Sequence, residues 1–140
     1  MTYLNQPGLA QKTSPASLSV LAIDDDEIVL DIVQELLMQL GIRQVQTAGD
    51  GYAGLRALCS MARAPDFVIV DVFMPDMDGI EFLKELAKTD YQGGVILASG
   101  SDVRLLQTAQ KLAIANGLNI CAALVKPLHR EDLAQALALR

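Results

Sequence analysis

The chain has 140 residues, 51% of them hydrophobic, and a formal net charge of −6. That length supports one domain with a sizeable core and is too short for two. The acidic balance, with no cluster of Lys or Arg, argues against direct binding of nucleic acid. No apolar run reaches the roughly 18 residues that a membrane-spanning helix needs.

Met1 to Ser17 is polar and broken by Pro7-Gly8 and Ser14-Pro15. It has no basic stretch leading into an apolar one, so it does not read as a secretion signal. Residues 1–17 are expected to form a flexible arm and residues 18–140 the folded domain. Cys59 and Cys121 sit in helix-like and strand-like apolar patterns and read as reduced, buried thiols. His129 is the only histidine, which excludes a zinc site that needs two.

Leu18 to Ile23 reads as a strand closed by Asp24-Asp25-Asp26-Glu27. A helix to about Leu40 follows, with Ile28, Ile32, Leu36 and Leu40 at i+4 spacing and Val29, Val33 and Leu37 beside them. Gly41 ends it. Arg43 to Ala48 is a less buried strand near a sheet edge. Asp50-Gly51 turns the chain into a second amphipathic helix with Leu55, Leu58, Cys59 and Ala62. Phe67 to Val70 is a continuous apolar strand that delivers one carboxylate, Asp71, to its far end. After Pro75 and Gly79 comes a helix with Phe82, Leu83 and Leu86. Val95 to Ala98 is a fourth strand, stopping at Ser99. Asp102 caps a long helix carrying Leu105, Leu106, Ala109 and Leu112, ended by Asn116-Gly117. Ile120 to Val125 is a fifth strand, ended by Lys126-Pro127, and Glu131 to Leu139 is the last helix. Alternating β and α elements predict an α/β fold: a flavodoxin-like (βα)5 doubly wound parallel sheet of order 2-1-3-4-5.

In such a sheet the strand ends share one edge, where ligands bind. Asp24, Asp25, Asp71, Ser99 and Lys126 therefore converge. Each has a bland reading alone: the acids as helix caps, Ser99 as a turn hydroxyl, Lys126 as a surface lysine. Together they make a charged pocket. Three carboxylates in a dry site repel, and a divalent cation relieves that repulsion. Hard oxygen ligands with few protein contacts suit Mg²⁺. A lysine and a hydroxyl opposite it supply charge and a donor for phosphoryl oxygens.

The stretches LAIDDDE, VDVFMPDMDG, LASGS and LVKP, in this order, resemble the four signatures of the response-regulator receiver domain of two-component signalling, over about Leu18 to Arg140. The resemblance implies that Asp71 is the phosphoacceptor and that Asp24, Asp25, Asp71 and the backbone carbonyl of Phe73 hold Mg²⁺. It implies that Ser99 is the switch hydroxyl, that Lys126 pairs with the phosphoryl group, and that the Lys126-Pro127 bond is cis. It further implies a signalling module, cytoplasmic, rather than an enzyme acting on other substrates. The donor would be a sensor histidine kinase or a histidine phosphotransfer protein, and an output domain in cis and a homodimer stay open. The helix from Asp102 with the following NGLNICAALVKPL resembles receivers joined to cyclic-di-GMP phosphodiesterase (EAL-type) output domains.

Two positions depart from the family pattern. Phe73 stands at the pocket mouth where a polar residue is common, and its ring is expected to restrict attacking water. Ala123 stands where receivers carry a Tyr or Phe rotamer switch. The competing readings are a phosphate-independent pseudo-receiver, a haloacid-dehalogenase-like phosphatase and an FMN binder. The phosphatase needs a second acid where Phe73 stands. The FMN binder needs a phosphate-cradling loop where four acids stand.

Overall fold

The computed structural model describes residues 14–75, 77–100 and 102–138. Five strands alternate with five helices: β1 (Ser19–Ile23), α1 (Glu27–Gln39), β2 (Gln44–Ala48), α2 (Gly51–Ser60), β3 (Phe67–Asp71), α3 (Gly79–Lys88), β4 (Gly94–Ser99), α4 (Val103–Ala115), β5 (Asn119–Val125) and α5 (Arg130–Ala136). All strand pairs are parallel, in the order β2-β1-β3-β4-β5. This is the architecture expected from the alternation of elements.

The alternating side chains of the sheet feed two cores. Leu21, Ile23, Val68, Val70, Val95 and Leu97 meet Phe82, Leu83, Leu86, Leu106 and Ala109 from α3 and α4, with α2 beside them. On the other face Val20, Ala22, Ile69, Ile96 and Ala98 meet Leu30, Val33 and Leu37 of α1 and Leu133 and Leu137 at α5. Strands covered on both faces read as unbroken apolar runs, which is why β3 and β4 are so visible in the sequence. Carboxylates cap four of the helices: Asp26, Asp50, Asp78 and Asp102 each accept a backbone N–H in the first turn of α1, α2, α3 and α4.

Three expectations are corrected. The apolar i+4 repeat read along α1 begins outside: Ile28 is 69% exposed and Ile32 50%. Leu30, Val33 and Leu37 are the buried set, since α1 carries apolar residues on two adjacent stripes. Neither cysteine is buried. Cys59 lies on the outer side of α2. Cys121 lies on the edge strand β5, where the register with β4 passes from Val95↔Ile120 to Ile96↔Ala122 and leaves it unpaired, as in a bulge. The last helix begins at Arg130 and ends at Ala136, and Leu139 lies outside the described residues.

Residues 1–13 of the expected arm also lie outside the described residues. Its last part, Pro15–Ser17, is a 3-10 turn, and Pro15 stands against Gly41, which has φ +91° and ends α1.

Candidate functional site

Asp24 directly follows β1, Asp71 is the last residue of β3, Ser99 the last of β4, and Lys126 directly follows β5. The parallel register therefore carries four chemically active side chains to one edge. Asp24, Asp71 and Ser99 are 4%, 5% and 2% exposed. Among the described residues they are the buried polar ones, in a core otherwise apolar. Asp25 is exposed beside them. Two larger clefts, of about 440 and 500 Å³, lie near Arg63 and Asp66 and include none of these residues.

Lys126 bridges the two buried acids. Its Nζ is 2.6 Å from Asp24 Oδ2 and 3.2 Å from Asp71 Oδ2. The other carboxylate oxygens are held by the backbone. The Asp26 amide donates to Asp24 Oδ1 at 2.9 Å, and the Phe73 amide donates to Asp71 Oδ1 at 3.1 Å. Asp26 itself accepts from the Ile28 amide at 2.9 Å as the cap of α1. The acidic run after β1 thus divides its labour between site and helix cap. The Lys126-Pro127 bond is cis, and the Lys126 amide donates to Ser99 O at 2.7 Å. Ser99 Oγ donates to Asp102 O at 3.4 Å.

Burial pushes the Asp71 carboxyl up from its ordinary range. The Phe73 amide opposes this, Asp24 adds to it and Lys126 opposes it, with a net rise. Burial pulls Lys126 down, but its bond to Asp24 and the attraction of both carboxylates outweigh that, and it holds its proton more firmly. Asp71 is thus poorly solvated and only partly compensated by Lys126.

One oxygen each from Asp24, Asp25 and Asp71 lie within 4.8 Å of one another. A hexacoordinate Mg²⁺ with bonds of about 2.1 Å holds opposite ligands about 4.2 Å apart. A small closure would bring these oxygens to bonding distance. Three carboxylates face one ammonium, so the donors and the charge surplus both fit a small divalent cation.

The family model for the response regulator receiver domain matches residues 20–138. The chain belongs to that family. The receiver domain is 30% identical over 129 residues to the chemotaxis protein CheY of Treponema pallidum, a match covering 91% of this chain and 85% of that protein. It spans half or less of some longer regulators that it also matches. A response regulator receiver domain protein from Clostridium thermocellum superposes with a TM-score of 0.75 at 30% identity, covering 86% of this chain and 91% of that one. The CheX–CheY–BeF3–Mg²⁺ complex from Borrelia burgdorferi contains a chain that superposes with a TM-score of 0.71 at 26% identity, with 86% of each chain covered. The receiver domain is a module of two-component signal transduction.

Of the side chains assigned to the pocket, Lys126 contacts Asp24 and Asp71, Asp25 lies beside those two acids, and Ser99 ends the neighbouring strand with its hydroxyl on Asp102 O. The Phe73 side chain is 69% exposed, and the residue's hydrogen bond to the site is made by its backbone amide. Sequence reasoning did not anticipate that Lys126 would reach Asp24 more closely than Asp71. Nor did it anticipate how Gly79 packs: a Cβ there would lie 2.5 Å from Val72 Cα and 2.6 Å from Asp71 O. Only the MDG spacing hinted at a glycine required for close approach.

Proposed function

We propose that the receiver domain accepts a phosphoryl group on Asp71 and changes conformation in response. The observation that carries this reading is the Lys126 bridge between two buried acids beside an unmatched third. Asp71 is the acid at the end of β3 whose Oδ2 faces Lys126 Nζ at 3.2 Å and whose other oxygen is fixed by the Phe73 amide.

A carboxylate oxygen of Asp71 attacks the phosphorus of a donor phosphohistidine. The P–N bond breaks, its electron pair stays with the imidazole, and an acyl phosphate forms on Asp71. The transition state is loose, so the pocket contributes mainly by orienting the acceptor and neutralising phosphoryl oxygens. Lys126 offers one cationic donor. Ser99 offers a hydroxyl once it leaves Asp102 O. Asp24 and Asp25, with Asp71 and the Phe73 carbonyl, are the groups that would hold Mg²⁺. When bound, the cation supplies two positive charges against the acids and the phosphoryl oxygens. Water later cleaves the acyl phosphate at phosphorus and releases inorganic phosphate.

The donor class is a sensor histidine kinase or a histidine phosphotransfer protein, and the response is read by an output domain or partner. A phosphohistidine donor of that kind fits a cytoplasmic domain. Among the described residues no helix is long and apolar enough to cross a membrane. The Borrelia relative recorded with BeF3 and Mg²⁺ supports the same assignment here.

The test is intact mass after incubation with acetyl phosphate and Mg²⁺. The expected result is one phosphoryl adduct, lost in Asp71→Ala and after chelation. No adduct on the wild-type chain would favour a phosphate-independent module.

A further inference from the structure

The segment after Asp71 returns to the backbone it left. Gly79 N donates to Val72 O at 2.8 Å, and the room at Gly79 is filled by the main chain of Asp71 and Val72. Between these ends Val72, Met74 and Met77 are buried while Phe73 and Pro75 are exposed. The buried side chains are what hold the loop in place.

Met77 has an unusual seat, against Gly51, the first residue of α2. A Cβ on Gly51 would lie 2.8 Å from Met77 Sδ, 2.9 Å from its Cγ and 3.0 Å from its Cβ. Those distances are below van der Waals contact along the whole side chain, so Met77 could not escape by swinging its tip. Gly51 has no left-handed φ, and glycine lowers helix propensity. Room for Met77, rather than backbone conformation, is the physical reason for glycine here. The wall behind it is firm, because Asp50 Oδ1 accepts the Ala53 amide at 2.7 Å and pins the start of α2.

We infer that Met77, seated in the notch at Gly51, is a positioning residue for the phosphoacceptor site. The inference rests on the reading of Asp71 given above. α2 contributes no group to the pocket, yet it sets where the loop lies. A side chain at 51 pushes Met77 out and moves Asp78 and Gly79 with it. The closed loop transmits the shift to Phe73, whose amide holds Asp71 Oδ1 and whose carbonyl is an expected ligand. Small displacements of such groups are costly to reactivity.

The test uses Gly51→Ala and Met77→Ala, singly and together, in the whole chain. The readouts are the Phe73 amide resonance in metal-free protein, the Mg²⁺ affinity, the phosphorylation rate with acetyl phosphate, and the melting temperature. Gly51→Ala is expected to shift the Phe73 amide and to slow phosphorylation roughly tenfold or more, a loss larger than its fall in melting temperature accounts for. The double variant is expected to match Met77→Ala alone, because both changes act through one contact. Should Gly51→Ala fail to fold, Met77→Leu, whose branched Cγ does not fit the notch, takes its place. A wild-type adduct with unaltered amide shift and rate in these variants would overturn the inference alone. So would losses that merely follow melting temperature. A wild-type chain that takes no phosphoryl group would overturn the assignment of Asp71 and the inference with it.

Discussion

Lys126 Nζ lies closer to Asp24 Oδ2, at 2.6 Å, than to Asp71 Oδ2, at 3.2 Å. In this state the lysine occupies the charge position that a cation would share. On the function proposed above, lysine and metal ion would compete for Asp24 as well as act together on a phosphoryl group. Lys126→Ala should bind Mg²⁺ more tightly, by roughly an order of magnitude, about 1.4 kcal/mol and well within the ~4 kcal/mol of one charge pair near a protein surface. It should also be phosphorylated far more slowly, because a donor to the transferred group is gone. Mg²⁺ titration followed by fluorescence or NMR checks the first part and intact-mass kinetics the second. Unchanged or weaker Mg²⁺ binding would show that the lysine does not compete.

Phe73 separates the fold from the mouth of the site. Its ring is exposed, so Phe73→Asn should leave the melting temperature where it is. The backbone amide that holds Asp71 survives the change. What changes is access of water to the acyl phosphate, and the decay of phosphorylated protein should speed by roughly 2- to 10-fold, ~0.4–1.4 kcal/mol in barrier. A decay curve identical to wild type would mean that the ring stands clear of the water's path.

The sheet was legible because β3 and β4 are buried on both faces and carry no polar residue until the strand end. The site was legible for the same reason: Asp71 and Ser99 interrupt apolar runs where only a function justifies the desolvation. The inner face of α1 was not, since Ile28 and Ile32 form an apolar stripe as regular as Leu30, Val33 and Leu37, and only packing against α5 and the sheet selects between them. The exposure of Cys121 was not, because a one-residue skip in register leaves no mark in composition. The notch at Gly51 depends on a side chain 26 positions away and on two helix ends meeting, which no local pattern encodes.

Tyr91 gives a stability prediction independent of the site. Its buried hydroxyl donates to Pro65 O at 2.8 Å and approaches Gly94 O at 3.3 Å. Tyr91→Phe leaves the Pro65 carbonyl short of a partner and should cost about 1–2 kcal/mol, seen as a lower midpoint in urea. Burial, then Asp66 and Cys121, pushes the phenol well above its ordinary range. In the unfolded chain it releases its proton near pH 10, while the folded chain still holds it. The stability from this group is thus fully present below about pH 10 and is lost as pH rises beyond it. Tyr91→Phe should flatten that alkaline limb; an equally steep limb would assign it to other groups.

Ser99 and α4 suggest how a signal leaves the site without an aromatic at position 123. Ser99 Oγ donates to the carbonyl of Asp102 at 3.4 Å. The Asp102 side chain accepts the Leu105 amide at 3.0 Å and caps α4. A hydroxyl that turns to a phosphoryl oxygen must give up that carbonyl, which loosens the residue on which the first turn of α4 depends. Ala123 is partly buried against the core and offers no ring to relay such a movement. With beryllofluoride and Mg²⁺, amide resonances should therefore shift most from Asp102 to Leu106, and those shifts should vanish in Ser99→Ala. Asp102→Ala should already show part of the displacement without ligand, at a cost of roughly 1 kcal/mol for the lost cap. Shifts confined to the pocket, with α4 silent, would leave a module that takes up the phosphoryl group and keeps its outer face unchanged.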